Sequence, residues 1–249
     1  MKPGSTNPVF FRFDSVFKHT PDRDFHIHTN ITDGSSSLEE YIGRALKLHI
    51  TEIAFTEHVR KSSHWYHSFV ERVEQLQESN KNKIRIYHGI EAKILNLDGD
   101  LDATDDMLDT AELILGAVHR LPDSCLQGSG KMNGLPPAEF ADIEFRLSQA
   151  IIKESPATVL AHPGGMYIRK FNKPFPGKYL ENLLDLACKY DTAIEINSSY
   201  SKEVLLDMDM FARLNPLISL GSDAHAKEDL GTILQFMKSM KQRLGSSYD

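Results

Sequence analysis

Asp24-Phe25-His26-Ile27-His28 is a short apolar run that carries two histidines separated by one residue. In a β-strand alternate side chains face the same side, so the pattern predicts that His26 and His28 point together while Phe25 and Ile27 point the other way into apolar packing. Two adjacent imidazoles can stay neutral when they share a metal ion through their ring nitrogens. An isolated pair of this kind is a weak indication of a metal site, so the other strand ends have to be considered with it.

Potential metal ligands also follow five other apolar runs along the chain. These residues are Glu57 and His58, then Glu91, His119, His162, and finally Asp223 with His225. If the runs are parallel strands of a barrel, their carboxyl ends converge on one mouth and the side chains meet in one pocket. Unrelated core histidines would not show this regularity, so the pattern favours a metal centre. Asp33, before Gly34 in the loop after His28, is typical of a turn, but it could also reach the same ions.

The apolar runs alternate with segments of helical period, which is typical of parallel strands joined by crossover helices. The predicted strands are Asp24–His28, Glu52–Thr56, Ile84–Ile90, Leu113–Val118, Thr158–Ala161, Ala193–Asn197 and Ile218–Gly221. The predicted helices are Leu38–Leu48, Phe69–Ser79, Pro137–Glu154, Lys178–Tyr190, Lys202–Leu214 and Ala226–Met240. Ser36 or Ser37, with Glu39 or Glu40 three residues later, predicts a capping box at the first helix. This α/β pattern fits a seven-stranded barrel or a doubly wound open sheet, and periodicity alone does not separate them.

Length, charge and composition narrow the class of protein. A barrel of alternating strands and helices often reaches 249 residues, so we expect one domain over residues 1–249, with residues 1–22 as an N-terminal extension packed on it. The formal net charge of −7 argues against nucleic acid as a partner, because a nucleic-acid surface needs a basic face. No apolar run approaches the roughly 20 residues of a membrane span. Cys125 and Cys188 are expected to be reduced thiols of a cytoplasmic protein.

The identity, order and spacing of these motifs resemble the PHP (polymerase and histidinol phosphatase) family, in particular its stand-alone phosphatases. The matching motifs are Asp24-Phe25-His26-Ile27-His28-Thr29 with Asp33-Gly34, Thr56-Glu57-His58, Gly89-Ile90-Glu91, His119, His162-Pro163 and Gly221-Ser222-Asp223-Ala224-His225. The resemblance implies a distorted, TIM-like (β/α)7 barrel with two or three divalent metal ions, and mixed His and carboxylate ligands suit Zn, Mn or Fe. It implies one ion on His26, His28, Glu91 and Asp223, a second on Glu91, His119 and His162, and a third on Asp33, His58 and His225.

The function that the resemblance implies is a metal-dependent phosphoesterase acting on a small phosphorylated metabolite. The metal ions would neutralise a phosphomonoester and lower the pKa of bound water, so that a metal-bridging hydroxide attacks and no protein nucleophile is needed. Ser222 is accordingly expected to be structural. Three alternatives stay open: a histidinol-phosphate phosphatase of histidine biosynthesis, a nuclease acting on nucleotide or nucleic-acid ends, and a metal-stabilised domain without catalysis. The last needs only four ligands, fewer than the nine candidates.

Three arginines are candidates for binding the phosphate, because a guanidinium donates to it through a fork of N–H groups. Arg169 lies beyond His162, in a stretch similar to an Arg-containing stretch of histidinol phosphatases, while Arg120 directly follows His119 and Arg60 lies two residues after His58. The alternative for each is a solvated surface charge. The Gly- and Pro-rich loop 120–136 is either a lid or a surface excursion.

Overall fold

Eight strands of the described residues form one sheet, and seven of them run parallel in the order of the chain. The structure is a computed structural model and describes residues 7–126, 132–201 and 207–244. The strands are β1 Phe11–Arg12, β2 Arg23–Ile27, β3 Glu52–Val59, β4 Arg85–Lys93, β5 Leu113–Ala117, β6 Val159–Leu160, β7 Ala193–Asn197 and β8 Leu217–Gly221. β1 lies antiparallel to β8, while β2 to β8 lie side by side in sequence order. Each of the seven predicted strands corresponds to one of β2 to β8.

The first and the last parallel strand meet at the mouth and close the sheet into a distorted barrel. Ile27, at the end of β2, forms a parallel bridge with Ala224, just beyond β8. The His28 amide donates to the Ala224 carbonyl at 2.9 Å, and the Ala224 amide donates to the His26 carbonyl at 3.2 Å. The predicted barrel is therefore confirmed, and the open-sheet alternative is wrong.

A β-bulge in β2 changes the side to which its apolar residues point. The register between β2 and β3 shifts between Asp24 and Ile27. Ile27 packs in the outer core between the barrel and its helices, whereas Phe25 packs in a separate cluster with Tyr87 and Leu113 inside the barrel. The expectation that Phe25 and Ile27 share a face is therefore wrong, because the extra residue of a bulge interrupts the two-residue period.

Ten α-helices lie in the described part of the chain. They are α1 Phe13–Lys18, α2 Leu38–Lys47, α3 Tyr66–Asn80, α4 Asp105–Thr110, α5 Pro137–Glu154, α6 Gly165–Phe171, α7 Gly177–Tyr190, α8 Ser198–Ser201, α9 Met208–Leu214 and α10 Thr232–Leu244. The predicted capping box of α2 is formed by Ser37 and Glu40. None of the described helices is both long and apolar enough to cross a membrane.

The predicted helix bounds differ from the structure mainly near the carboxyl end of the chain. Of the helix predicted over Lys202–Leu214, the structure shows α9, and residues 202–206 lie outside the described residues. The last helix begins at Thr232 and not at Ala226, because Gly231 adopts a left-handed conformation with φ 78° directly before it. The short helices α1, α4, α6 and α8 are not predicted from the sequence. Their four to seven residues make at most two turns, which is too short to show a helical repeat of apolar residues.

The described part of the N-terminal segment packs against the barrel. Phe13 and Val16 of α1 are buried, and the Phe13 ring centroid lies 5.5 Å from that of Phe211 in α9. Residues 1–6 lie outside the described residues. Within loop 120–136, residues 127–131 also lie outside them, so its role as a lid or a surface excursion stays a prediction.

Replacing Tyr41 with Phe tests the closing contact of the barrel. The hydroxyl of Tyr41, a fully buried residue of α2, donates to the Ala224 carbonyl at 3.1 Å. Removing this bond should lower the free energy of unfolding by about 1 kcal/mol, measured by urea denaturation of metal-free protein. Tyr190→Phe, at an exposed position, is the control. An unchanged midpoint for Tyr41→Phe would contradict the role of this bond.

Candidate metal centre

The carboxylate of Glu91 lies in the middle of the barrel mouth and faces histidines through both of its oxygens. Glu91 belongs to β4 and is 1% exposed. Its Oε1 lies 2.8 Å from His162 Nε2 and 3.0 Å from His119 Nε2. Its Oε2 lies 2.8 Å from His58 Nδ1. A carboxylate with ring nitrogens at both oxygens has the arrangement of a ligand that bridges two metal ions.

His26, His28 and Asp223 form a compact group beside Glu91. The Nε2 atoms of His26 and His28 are 3.0 Å apart, and Asp223 Oδ1 lies 3.5 Å and 3.3 Å from them. Glu91 Oε2 lies 3.5 Å from both nitrogens. Ligand atoms about 2.0–2.2 Å from a tetrahedral ion are about 3.3–3.6 Å apart. The oxygen–nitrogen distances lie in this range and the distance between the two nitrogens is slightly shorter, so this compact group is a candidate for holding one metal ion.

A third group of ligand atoms lies nearer to solvent. Asp33 Oδ2 lies 3.4 Å from His58 Nε2 and 3.5 Å from His225 Nε2. The side chains are 53%, 35% and 40% exposed, respectively, and His28 offers a ligand atom to the same group. The structure thus places Asp33, which could have been only a turn former, among the histidines.

Glu195 orients His26 and is not among the predicted residues of the site. Glu195 lies in β7 and is 3% exposed. Its Oε1 accepts a hydrogen bond from His26 Nδ1 at 2.6 Å, and its Oε2 accepts one from the backbone amide of His162 at 2.6 Å. A carboxylate that binds one ring nitrogen fixes the ring and leaves the other nitrogen as the metal ligand. Glu195 therefore positions two histidines at once.

The backbone is strained at two of the candidate ligands. His162 has a φ of 27° and Asp223 a φ of 54°, in the left-handed region that non-glycine residues rarely adopt. The loop of Asp223 is held by Asp24, whose carboxylate accepts hydrogen bonds from the amides of Ser222 and Gly231, both at 2.9 Å. Burial raises the pKa of Asp24 to about 6.

The carboxylates of the site favour positive charge among the ring nitrogens that face them. Burial lowers the pKa of His28 to about 4, so His28 is neutral and keeps a free lone pair. Burial also opposes a charge on His26, but the nearby carboxylates, Glu195 foremost, outweigh it and raise the pKa of His26 well above its usual value. Burial would raise the pKa of Glu91, but His119 and His26 outweigh it and hold that pKa well below its usual value. The donor set and its charge fit divalent metal ions.

A cavity of about 390 Å³ opens above the ligands. Arg60 and Arg169 line it, together with Lys93 and Tyr200, which were not predicted. The structure does not place Arg120 among the lining residues. Its side chain is 65% exposed and pairs with Asp123 at 3.4 Å on the loop that follows β5. The solvated alternative therefore describes Arg120 better than a phosphate-binding role.

Helix α6 carries Arg169 and is fixed by a buried carboxyl group. Glu144 of α5 is 1% exposed and accepts hydrogen bonds from the amides of Met166 at 3.0 Å and Tyr167 at 2.7 Å. Burial raises the pKa of Glu144 to about 8. The Arg169 guanidinium lies 5.5 Å from the ring centroid of Tyr200. These contacts turn α6 so that Arg169 faces the cavity.

Two polar residues of the sequence motifs hold loops. Glu57 accepts hydrogen bonds from the amide and hydroxyl of Thr29, at 2.9 Å and 2.5 Å, and from the hydroxyl of Thr32. It thereby fixes the loop that leads to Asp33. Ser222 is fully buried, and its backbone amide donates a hydrogen bond to Asp24. Both observations fit the structural role expected for Ser222.

Comparisons with known proteins agree with these motifs. A family model described as PHP domain matches residues 24–199. A probable phosphatase of Pectobacterium carotovorum subsp. carotovorum and another of Yersinia enterocolitica are each 28% identical over 221 residues, which is 84% of this chain and 80% of each relative.

Among solved structures, the chain resembles histidinol phosphate phosphatase from Lactococcus lactis in complex with zinc, L-histidinol and phosphate. The TM-score is 0.64 at 19% sequence identity, over 86% of this chain and 93% of that one. At this identity the likeness concerns the fold, and it agrees with the distorted barrel.

Replacing Glu195 with Gln should weaken metal binding without removing a ligand. The glutamine keeps the size of the side chain, but only one of its two terminal atoms can accept a hydrogen bond. Its N–H₂ group would therefore face a donor, either His26 Nδ1 or the backbone amide of His162. We expect the affinity for the tightest divalent ion to fall about 10- to 100-fold, measured by competition with a metallochromic chelator. Glu71→Gln, on the exposed face of α3, is the control. Equal affinities for Glu195→Gln and wild type would show that Glu195 does not orient a ligand.

Proposed function

The chain belongs to the PHP domain family, and from this premise we propose that it is a metal-dependent phosphatase that hydrolyses small phosphomonoesters at the cluster around Glu91. The observation that carries the proposal is the contact of both Glu91 oxygens with histidines, at 2.8 Å to His162 on one side and 2.8 Å to His58 on the other. The curated relatives named probable phosphatases support the class of reaction.

We propose that this cluster holds two or three divalent ions of Zn, Mn or Fe. The ligand sets are His26, His28, Glu91 and Asp223 for the first ion, Glu91, His119 and His162 for the second, and Asp33, His58 and His225 for the third. Zinc in the Lactococcus lactis structure supports this class of ion. When bound, such ions neutralise phosphoryl oxygens and lower the pKa of water towards 7.

The side chains of the protein then have three tasks in the proposed reaction. Glu91 and the histidines fix the positions of the cations, and Glu195 keeps His26 in its ligating orientation. Arg169, on the cavity wall, donates to the oxygens of the phosphate. Ser222 takes no part as a nucleophile, because it is fully buried behind the ligands.

Histidinol phosphate is the named substrate to test first, because the Lactococcus lactis protein was solved with L-histidinol and phosphate. A nuclease acting on nucleotide or nucleic-acid ends is the rival within the same chemistry. The net charge of −7 supports a small substrate over a nucleic acid.

The test of the proposed function is metal removal and reconstitution. Protein stripped with a chelator should release no phosphate from para-nitrophenyl phosphate, and single additions of Zn²⁺, Mn²⁺ or Fe²⁺ should restore release. Glu91→Gln should lower kcat/KM by about 1000-fold, which corresponds to roughly 4 kcal/mol of transition-state stabilisation. Glu71→Gln is the control. Full activity after complete metal removal would refute the mechanism, and cleavage of DNA or RNA ends without monoester hydrolysis would favour the nuclease.

A separate test addresses the third ion. Because Asp33 is exposed and its Oδ2 faces the outer histidines His58 and His225, Asp33→Ala should lower the metal content by one ion per chain and leave the buried ions bound. Elemental analysis after gel filtration measures the content, with Asp98→Ala in the loop after β4 as the control. Loss of all ions, or of none, in Asp33→Ala would contradict this assignment.

A further inference from the structure

Lys93 is a basic residue of the cavity that the proposed phosphatase mechanism does not use. It follows Glu91 by two residues in β4, so both side chains point to the same side of the strand, towards the mouth. Its ammonium group lies 3.3 Å from Asp102 Oδ2, and Asp102 Oδ1 accepts a hydrogen bond from the amide of Lys61 at 3.2 Å. Asp102 thereby ties Lys93 to the segment that carries Arg60, and Lys93 keeps further N–H donors for a ligand.

The basic residues of the cavity form two separate groups. Arg60 directly follows β3, and Lys93 is the last residue of the neighbouring strand β4. Arg169 lies in α6, which follows β6. In a closed barrel of seven strands, β3 and β6 are three strands apart and lie on opposite sides of the mouth. Arg169 faces Tyr200, whose ring centroid lies 4.7 Å from that of His162. One basic group therefore lies on the His162 side, and the other lies across the cavity.

Arg60 and Arg169 have no carboxylate partner among the described residues. In the described part of the chain no carboxylate lies within salt-bridge distance of Arg60 or Arg169, whereas Arg23, Arg72 and Arg213 each pair with a glutamate at 2.5–2.6 Å. Because a guanidinium presents a fork of donors that matches anionic oxygens, an unpaired guanidinium at each side of a small cavity indicates two anionic groups in the ligand.

The charge of the cavity supports the same conclusion. Its lining contains four carboxylates, Asp33, Glu91, Asp102 and Asp223, and three basic side chains, Arg60, Lys93 and Arg169. Three of these carboxylates, Asp33, Glu91 and Asp223, face the ring nitrogens of the candidate ligand groups. The basic side chains on the cavity wall therefore favour anionic groups of the ligand on both sides of the cavity.

We propose, on the basis of the proposed phosphatase function, that the substrate carries a second anionic group, a carboxylate or a second phosphate, which Lys93 and Arg60 bind. The phosphate to be released lies at the Glu91 cluster on the Arg169 side. Lys93 is then a specificity-determining residue. At about 390 Å³ the cavity lies at the small end of ligand sites, which fits a short metabolite with an anion at each end.

The test compares three-carbon phosphomonoesters that differ in their second group. Glycerol 3-phosphate has a hydroxyl, 3-phosphoglycerate a carboxylate, and propane-1,3-diol bisphosphate a second phosphate, while histidinol phosphate provides a cationic comparison. The wild-type metal-loaded enzyme should have a kcat/KM at least about 10-fold higher for one of the two substrates with a second anion than for glycerol 3-phosphate. The better of the two identifies the second group as carboxylate or phosphate.

Lys93→Met removes the charge and keeps most of the side-chain length. It should raise KM for the preferred substrate about 10-fold and change that for glycerol 3-phosphate less than about twofold. Lys93→Arg should restore part of the preference, and Lys83→Met, at an exposed position before β4, should change neither KM. Lys93→Gln repeats the test if Lys93→Met loses metal or folds poorly.

Two outcomes separate this inference from the proposed function. Phosphate release that is equally efficient for glycerol 3-phosphate and the substrates with a second anion, or best for histidinol phosphate, overturns the second anion site and leaves the phosphatase intact. An equal rise in KM for all substrates in Lys93→Met also overturns it. No release from any monoester with any metal overturns the phosphatase itself.

Discussion

A carboxylate that is almost completely buried has to meet positive charge or hydrogen-bond donors, because an unpaired buried charge is strongly destabilising. Glu91 meets them through His26, His58, His119 and His162, which come from the carboxyl ends of β2, β3, β5 and β6. These ends must lie at one level around the mouth. The register of the whole sheet is therefore coupled to one side chain, and the barrel and the candidate metal centre are consequences of the same arrangement.

A second layer of carboxylates makes this arrangement rigid. Glu195 orients His26 and holds the strained backbone at His162, and Asp24 holds the loop that ends in Asp223. A side chain at Gly221 would meet Glu195 Oε1 at 2.1 Å, so glycine is required there. The strain at the two candidate ligands is thus offset by hydrogen bonds to the buried carboxylates of Glu195 in β7 and Asp24 in β2.

Much of this could be predicted from the sequence, because parallel strands of a barrel place their carboxyl ends together and the ligand types stand at those ends. The bulge in β2 could not, since a register shift depends on the pairing with β3 and leaves no local signal. Glu195 and Lys93 show only as charged residues in apolar strands, a signal that could have marked both as pointing into the mouth. Glu144 lies within a helix, and its partners in α6 are 22 and 23 residues away.

The closing contact between Ile27 and Ala224 also determines when the site can exist. Next to this contact, the Ser222 amide donates a hydrogen bond to Asp24, a residue 198 positions earlier in the chain. During synthesis the first pair of histidines leaves the ribosome long before the aspartate that completes their set. Contacts of such long range form slowly, so the candidate metal centre is assembled late in folding, after the strands between β2 and β8 have taken their places.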